Sequence, residues 1–348
     1  MKTVHLLIIT AIFSIFYGCN NQDRVFVGKS KYGLKFKQEG IKPHTKPIFE
    51  FPAGSSIQII DTLLLVQHQD ENPSYYWDVY SLNNMKHLKS ILRKGRGPDE
   101  VLFAHYAGQY EQINDDIWMY FLDVNSGKFL KINITESIRL GNDIIELITA
   151  IDSDKFPYFA VNNDTFIYCN NNRNEGYISL VKGDNSWKNP VMEKKYIRHI
   201  TFEDFNKLTH SLHYNKKNDK VCVVPFYINH IHIIDLDGND DIISSAAGNN
   251  NWQTISRNDI SGLTTIFYST TRTTDDFIFT LYNNKQIAEM GNTPEETVIH
   301  VFDWNGKALT RILLEDNITS FAVDIKNKIL YGLDNLSYLY KYDISSCL

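Results

Sequence analysis

Thr297-Val298-Ile299-His300-Val301-Phe302-Asp303-Trp304-Asn305-Gly306-Lys307 is the stretch on which the fold turns. Apolar and aromatic residues lead to an acidic one, one more apolar residue follows, and the chain then meets Asn-Gly. Asn-Gly beside strand-like residues is a strong hairpin signal, because a tight turn needs residues that accept positive φ. The pattern recurs. It reads Val79-Tyr80-Ser81-Leu82 before Asn83-Asn84, and Phe121-Leu122-Asp123-Val124 before Asn125-Ser126-Gly127. It reads Tyr177-Ile178-Ser179-Leu180 with Lys182-Gly183-Asp184 just beyond, and Ile233-Ile234-Asp235-Leu236 before Asp237-Gly238-Asn239. Its last occurrence is Lys341-Tyr342-Asp343-Ile344 before Ser345-Ser346. The Asp or Ser stands at 81, 123, 179, 235, 303 and 343. A strand-rich unit repeating loosely every ~40–50 residues marks propeller blades. Six occurrences predict an all-β, six-bladed β-propeller.

The chain ends support closure of that ring. Only Ser345 to Leu348 follow the last occurrence, so the sixth blade lacks an outermost strand. Lys46-Pro47-Ile48-Phe49-Glu50-Phe51 is a spare strand ahead of the first blade's own (Ile57–Ile60, Leu63–Gln67, Tyr75–Leu82). An N-terminal strand taken from within residues 25–51 is therefore expected to pair with Ser337–Ile344 and seal an edge that would invite aggregation. The propeller spans 46–348, and 19–45 reads as a tether and lead-in. Residues 199–214 read as a short helical insert, with Thr201 and Asp204 placed as a capping box.

Tyr and Phe number 20 each in 348 residues, with 5 Met and 4 Cys, a composition suited to pleated surfaces. The net charge is −6, which gives the chain no basic face for nucleic acid. Residues 1–18 read as a signal peptide. Lys2 makes a positive start, and Leu6 to Phe16 is an apolar run of 11 residues, where a membrane span needs ~18. Gly18-Cys19 then precedes polar Asn20-Asn21-Gln22-Asp23. This junction resembles the lipobox of bacterial lipoproteins, although Phe16 and Tyr17 depart from its usual residues. It predicts a lipid on Cys19, a place in the cell envelope at the outer membrane, and a monomer whose membrane contact is that lipid. The remaining cysteines, Cys169, Cys222 and Cys347, are far apart and odd in number. An exported chain permits one disulfide, but buried free thiols are the simpler expectation.

Arg93-Lys94-Gly95-Arg96-Gly97-Pro98-Asp99-Glu100 resembles a segment found after the first blade in the TolB-like six-bladed propeller lipoproteins of Bacteroidetes. Asp99 stands where that family often has glycine. Ile299 to Lys307 is similar to the family's late hairpin. Leu281-Tyr282-Asn283 and Phe321-Ala322-Val323-Asp324 are similar to its fifth and sixth blades. The resemblance spans essentially the whole mature chain. It implies a propeller and an envelope location, and no established reaction.

The same segment holds the candidate binding residues. Arg93, Lys94, Arg96 and Glu100 follow the last strand of blade one, in a connection expected at the mouth of the central channel. Arginine's planar fork suits carboxylate, phosphate or sulfate, although two glycines and a proline also describe a turn that merely docks blade on blade. No catalytic residues, cofactor or metal are assigned. Asp235 to Asp241 is acidic, but Asp240 and Ala246 occupy positions where a calcium loop needs Gly and Glu. His199, Glu203, His210 and His213 lack a metalloprotease pattern. His230 and His232 alternate on one strand face, either lining a channel or serving as ordinary strand residues. No nucleophile elbow, Walker loop or dinucleotide fingerprint occurs. The expected function is a non-catalytic envelope scaffold binding an unknown protein or small molecule. The alternative is a hydrolase or lyase acting on a glycan or lactone at the central channel.

Overall fold

The computed structural model describes residues 25–36, 38–39, 46–68, 74–97, 99–151, 158–162, 164–184, 190–238, 240–290 and 296–348. The leader and Cys19 lie outside the described residues, as do Pro98 and Asn239.

An N-terminal arm carries β1 (Lys29–Lys31), β2 (Gln38–Glu39) and β3 (Phe49–Glu50). Six antiparallel sheets follow. Blade one is β4 (Gly54–Ile60), β5 (Leu63–His68), β6 (Tyr75–Ser81) and β7 (His87–Arg93). Blade two is β8 (His105–Ile113), β9 (Asp116–Asp123), β10 (Lys128–Asn133) and β11 (Ile145–Ala150), with helix α1 (Ile134–Leu140) between the last two. Blade three is β12 (Tyr158–Ala160), β13 (Phe166–Asn172), β14 (Tyr177–Gly183) and β15 (Met192–Ile197). Blade four is β16 (His210–Asn215), β17 (Lys220–Pro225), β18 (Ile231–Asp235) and β19 (Ile242–Ser244), and the single turn α2 (Trp252–Ile255) leads out of it. Blade five is β20 (Thr265–Thr273), β21 (Phe277–Gln286), β22 (Thr297–Asp303) and β23 (Ala308–Leu314). Blade six is β24 (Ile318–Asp324), β25 (Ile329–Asp334), β26 (Tyr338–Asp343) and β3.

The ring closes as the chain ends implied. β3 pairs antiparallel with β26, Tyr338 opposite Glu50 and Leu339 opposite Phe49. Phe51, 3% exposed, drives into the junction with Ile57, Leu64, Val66 and Tyr80 of blade one and Ala322, Tyr331 and Leu333 of blade six. Ser337 pins the same joint: its hydroxyl bonds both the N–H and the carbonyl of Gly54 at 3.0 Å. The arm does more than close the ring. Phe26 bridges Ile197 of blade three, β1 pairs in parallel with β19 of blade four, and β2 pairs in parallel with β23 of blade five. The segment read as lead-in thus covers one outer edge after another, which removes templates for intermolecular pairing.

Five of the six sequence occurrences fall on the third strand of a blade. The occurrence at Asp123 ends β9, a second strand. In blade two the third strand runs instead into α1, which Asn133 caps through the Glu136 N–H (2.9 Å) and Gly141 terminates at φ 79°. The helical insert is a 3-10 helix over Phe202–Leu208, opened by the Thr201–Asp204 capping box. The rest of that window, from His210, is β16. In the deciding hairpin only Gly306 takes a positive φ, 68°. A Cβ there would lie 2.3 Å from Ser244 Oγ, because the turn docks on blade four. Cys169, Cys222 and Cys347 are buried and unpaired.

Candidate functional site

The inner strands of the blades wall a central cavity of about 780 Å³, a volume within the ~300–1,000 Å³ usual for small-ligand sites. β4, β8, β16, β20 and β24 line most of it, and Phe159 of β12 adds an aromatic face. Four of these strands are irregular; β4 and β24 shift register near their starts, between Gly54 and Ser56 and between Ile318 and Ser320. β8 shifts register between Tyr106 and Tyr110, around Gly108 at φ 74°, and β20 shifts at Tyr268 and again before Thr271. Bulges of this kind re-aim side chains beside sites. One mouth lies at the C-terminal ends of the inner strands. Tyr110 is 51% exposed there, Lys216 lies 3.9 Å from Glu111 across it, and Asp275 and Asp276 are exposed.

Arg272 dominates the depth of the cavity. Its guanidinium reaches from blade five to blade one, with Nη2 donating to the Ile57 carbonyl (3.0 Å) and the Ser56 hydroxyl (3.3 Å). Nη1 donates to the Thr271 carbonyl at 2.8 Å. The ring of Phe321 lies 6.0 Å from its centre. Every partner is a neutral oxygen, and Nε has none. Burial pulls the guanidinium down to about 10, against which the nearby Tyr106 hydroxyl works. His213 shares the wall; burial first, then the Arg272 charge, hold it at about 3, so it is a neutral imidazole. Its Nε2, and the hydroxyl of Ser211 two residues earlier on the same strand face, also lack protein partners. These residues were not singled out together from the sequence. Ser211 and His213 carry a period-two signal, but Arg272 joins them only through the ring.

Arg93, Lys94, Arg96 and Glu100 are not among the residues lining this cavity. They form the connection into the N-terminal end of β8, whose first residue, His105, is exposed and lines the cavity. The turn folds around Glu100, whose carboxylate accepts the Gly97 N–H at 2.8 Å and lies 3.4 Å from Arg93 Nε. Lys94 sits 4.8 Å over the Tyr76 ring, and Arg96 is exposed. Gly95, at φ 154°, is required because a Cβ would lie 1.9 Å from Glu100 Oε2. Gly95→Ala is therefore expected to lower stability by about 1–3 kcal/mol, read as a lower urea midpoint. An unchanged midpoint would show that Glu100 simply turns aside.

The other sequence candidates are structural in their surroundings. His230 and His232 are fully buried in blade four against Phe26 and Tyr196, away from the cavity. His210 bonds the Leu208 carbonyl. Among the described residues no group of three or more His, Cys, Asp or Glu is placed to hold a metal. The acidic turn after β18 is an exposed hairpin turn tied at its base: Asp241 pairs with Lys194 at 2.7 Å and Asp235 accepts the Gly238 N–H, while Asp240 meets Lys29 at 2.5 Å in solvent.

A family model described as TolB-like 6-blade propeller-like matches residues 43–326. Among solved structures, the chain is similar to a duf4221 family member from Bacteroides vulgatus, with 10% identity, a TM-score of 0.52, and 89% of this chain and 98% of that one covered. It is also similar to Hsv2 of Kluyveromyces lactis, at 14% identity, a TM-score of 0.40, and 81% and 70% coverage. At these identities the likeness is one of fold. No curated protein matches the chain.

Proposed function

The chain belongs to the TolB-like six-bladed propeller family, and from that premise we propose that it is a lipid-anchored binding protein of the cell envelope whose ligand enters the central cavity. The observation that carries this reading is the cavity itself: a chamber of about 780 Å³ built from the inner strands, with polar and apolar faces in its lining. Pockets form where loops and strands of different blades converge, and a fold alone implies no reaction. The lining offers hydroxyls, amides and aromatic faces, the equipment of recognition. No nucleophile–base pair stands out among the described lining residues. The exposed Arg96, with Arg93, Lys94 and Glu100, is kept as an outer contact for a protein partner approaching the opposite rim.

The anchor rests on Gly18-Cys19 after an apolar run too short to span a bilayer. Cys19→Ala is expected to move the protein from the outer-membrane fraction to the soluble fraction of cells. Full membrane retention of that variant contradicts the anchor. For the ligand, native mass spectrometry of protein isolated from its own envelope should show a bound small molecule. Turnover of a glycan or lactone by the purified protein would instead favour an enzyme.

A further inference from the structure

The charges around the cavity narrow the kind of ligand it fits. Resting on the binding role above, we propose that the cavity takes a small organic monoanion whose carboxylate is gripped by Arg272.

Arg272 carries a full positive charge inside the ring. A buried cation is costly unless an opposite charge and full hydrogen bonding compensate it. Here the compensation is incomplete. The three bonds that the guanidinium makes end on the Thr271 and Ile57 carbonyls and the Ser56 hydroxyl, leaving others of its five donors without a protein acceptor. No carboxylate pairs with it among the described residues: the acids lining the cavity, Glu111, Asp275 and Asp276, stand at the mouth, where Glu111 faces Lys216 and Asp276 lies 3.1 Å from Lys217. Ser211 and His213 line the same chamber, with their unpartnered Oγ and Nε2 atoms turned into the wall and closed off from it. A cation in the lining of a cavity, with every protein bond ending on a neutral oxygen, describes an anion's receptor.

The count of charges favours a single negative one. His213 is neutral, so among the described lining residues Arg272 is the one cation in the depth, and the exposed Asp275 at the entrance disfavours a dianion. A planar guanidinium matches a carboxylate in two parallel hydrogen bonds. The volume leaves room for a body the size of a sugar or larger beyond the carboxylate. The competing role for Arg272 is a bolt that ties blade five to blade one.

Titration calorimetry with glucuronate, acetate, inorganic phosphate and glucose on the folded mature protein separates these roles. Glucuronate is expected to bind saturably and to raise the melting temperature. Acetate should bind more weakly, phosphate more weakly than glucuronate, and glucose at least tenfold more weakly. Arg272→Gln should cost glucuronate at least tenfold in affinity, and Arg272→Lys a smaller factor with the charge kept. If Arg272→Gln fails to fold, Arg272→Lys carries the test, expected to weaken glucuronate and leave any glucose binding unchanged. Glucose binding as tightly as glucuronate overturns the carboxylate proposal and leaves a binding cavity standing. So does equal glucuronate affinity in wild type and Arg272→Gln, which makes Arg272 a bolt. No saturable binding of glucuronate or acetate overturns the proposal, and the occupant seen by native mass spectrometry then judges the binding role separately.

Discussion

A protein lacking residues 25–51 is expected to show no cooperative unfolding transition and to aggregate on purification. The arm supplies the outermost strand of blade six, parallel partners for β19 and β23, and a bridge to Ile197. It also supplies aromatic anchors. Phe26 and Phe51 are 5% and 3% exposed, and Phe36 packs 4.3 Å from the His300 ring. Burial of one such side chain stabilises by roughly 1.5–3 kcal/mol. Three of them approach the roughly 5–15 kcal/mol that hold a whole domain folded, before the exposed edges are counted. The point variant Phe51→Ala is expected to cost about 3–5 kcal/mol, because it opens a hole between the first and last blades without removing a strand. Urea unfolding followed by circular dichroism reads both. A truncated ring that unfolds at the wild-type midpoint would mean that blades one and six hold together without the arm.

The second large effect is acid lability. Burial holds His213, His230, His232 and His300 at about 3, with the Arg272 charge adding at His213, His232 at His230, Lys194 at His232 and Arg311 at His300. In the unfolded chain a histidine titrates near ~6.5. Above that value neither state binds the proton and nothing is lost. As pH falls below it, the unfolded chain takes up protons that the folded ring refuses, so stability declines until the folded values near 3 are reached. Each histidine contributes a slope on the order of 1.4 kcal/mol per pH unit, and near pH 5 unfolding should take up roughly four protons. Asp78 adds a later step of the same sign. Burial would raise its carboxyl, but hydrogen bonds from His68 and Ser90 and the His68 and His87 charges overcome this and hold it at about 2. That stability is complete above the ordinary carboxylate range and is lost as pH falls toward 2. Urea midpoints that fall steeply from pH 6 to pH 4 are expected, with His230→Phe shallower than wild type. A flat profile over that range contradicts neutral, buried histidines.

Much of the architecture is legible in the sequence because propeller blades repeat one local problem. Each must turn from strand to strand with residues such as Asn305-Gly306 or Asp237-Gly238, and each turn leaves its mark. The chain ends are legible for the same reason: a missing strand after Asp343 and a spare one at Phe49 complement each other. Where the local problem changes, the reading slips. Blade two leaves its third strand through α1, so the occurrence at Asp123 marks a different strand, although Asn133 and Gly141 announce the helix ends. β1 and β2 are short and pair in parallel with strands more than two hundred residues away, and no local pattern encodes that. The cavity is harder still. Ser211 and His213 come from β16 and Arg272 from β20, and only ring closure brings Ser56 to the guanidinium. An arginine among Thr270, Thr271, Thr273 and Thr274 is the one local hint, a long cation on a strand whose neighbours are small and uncharged. The conspicuous Arg93–Glu100 run, by contrast, owes its glycines to the fit around Glu100.

The most direct test of the account is an experimental density map of the protein isolated from its own envelope, inspected at the central cavity. The account predicts connected density for a small molecule between β8, β16 and β20, with one end against Arg272. Solvent alone in a cavity of undisturbed shape, or a ligand bound elsewhere on the ring, contradicts it.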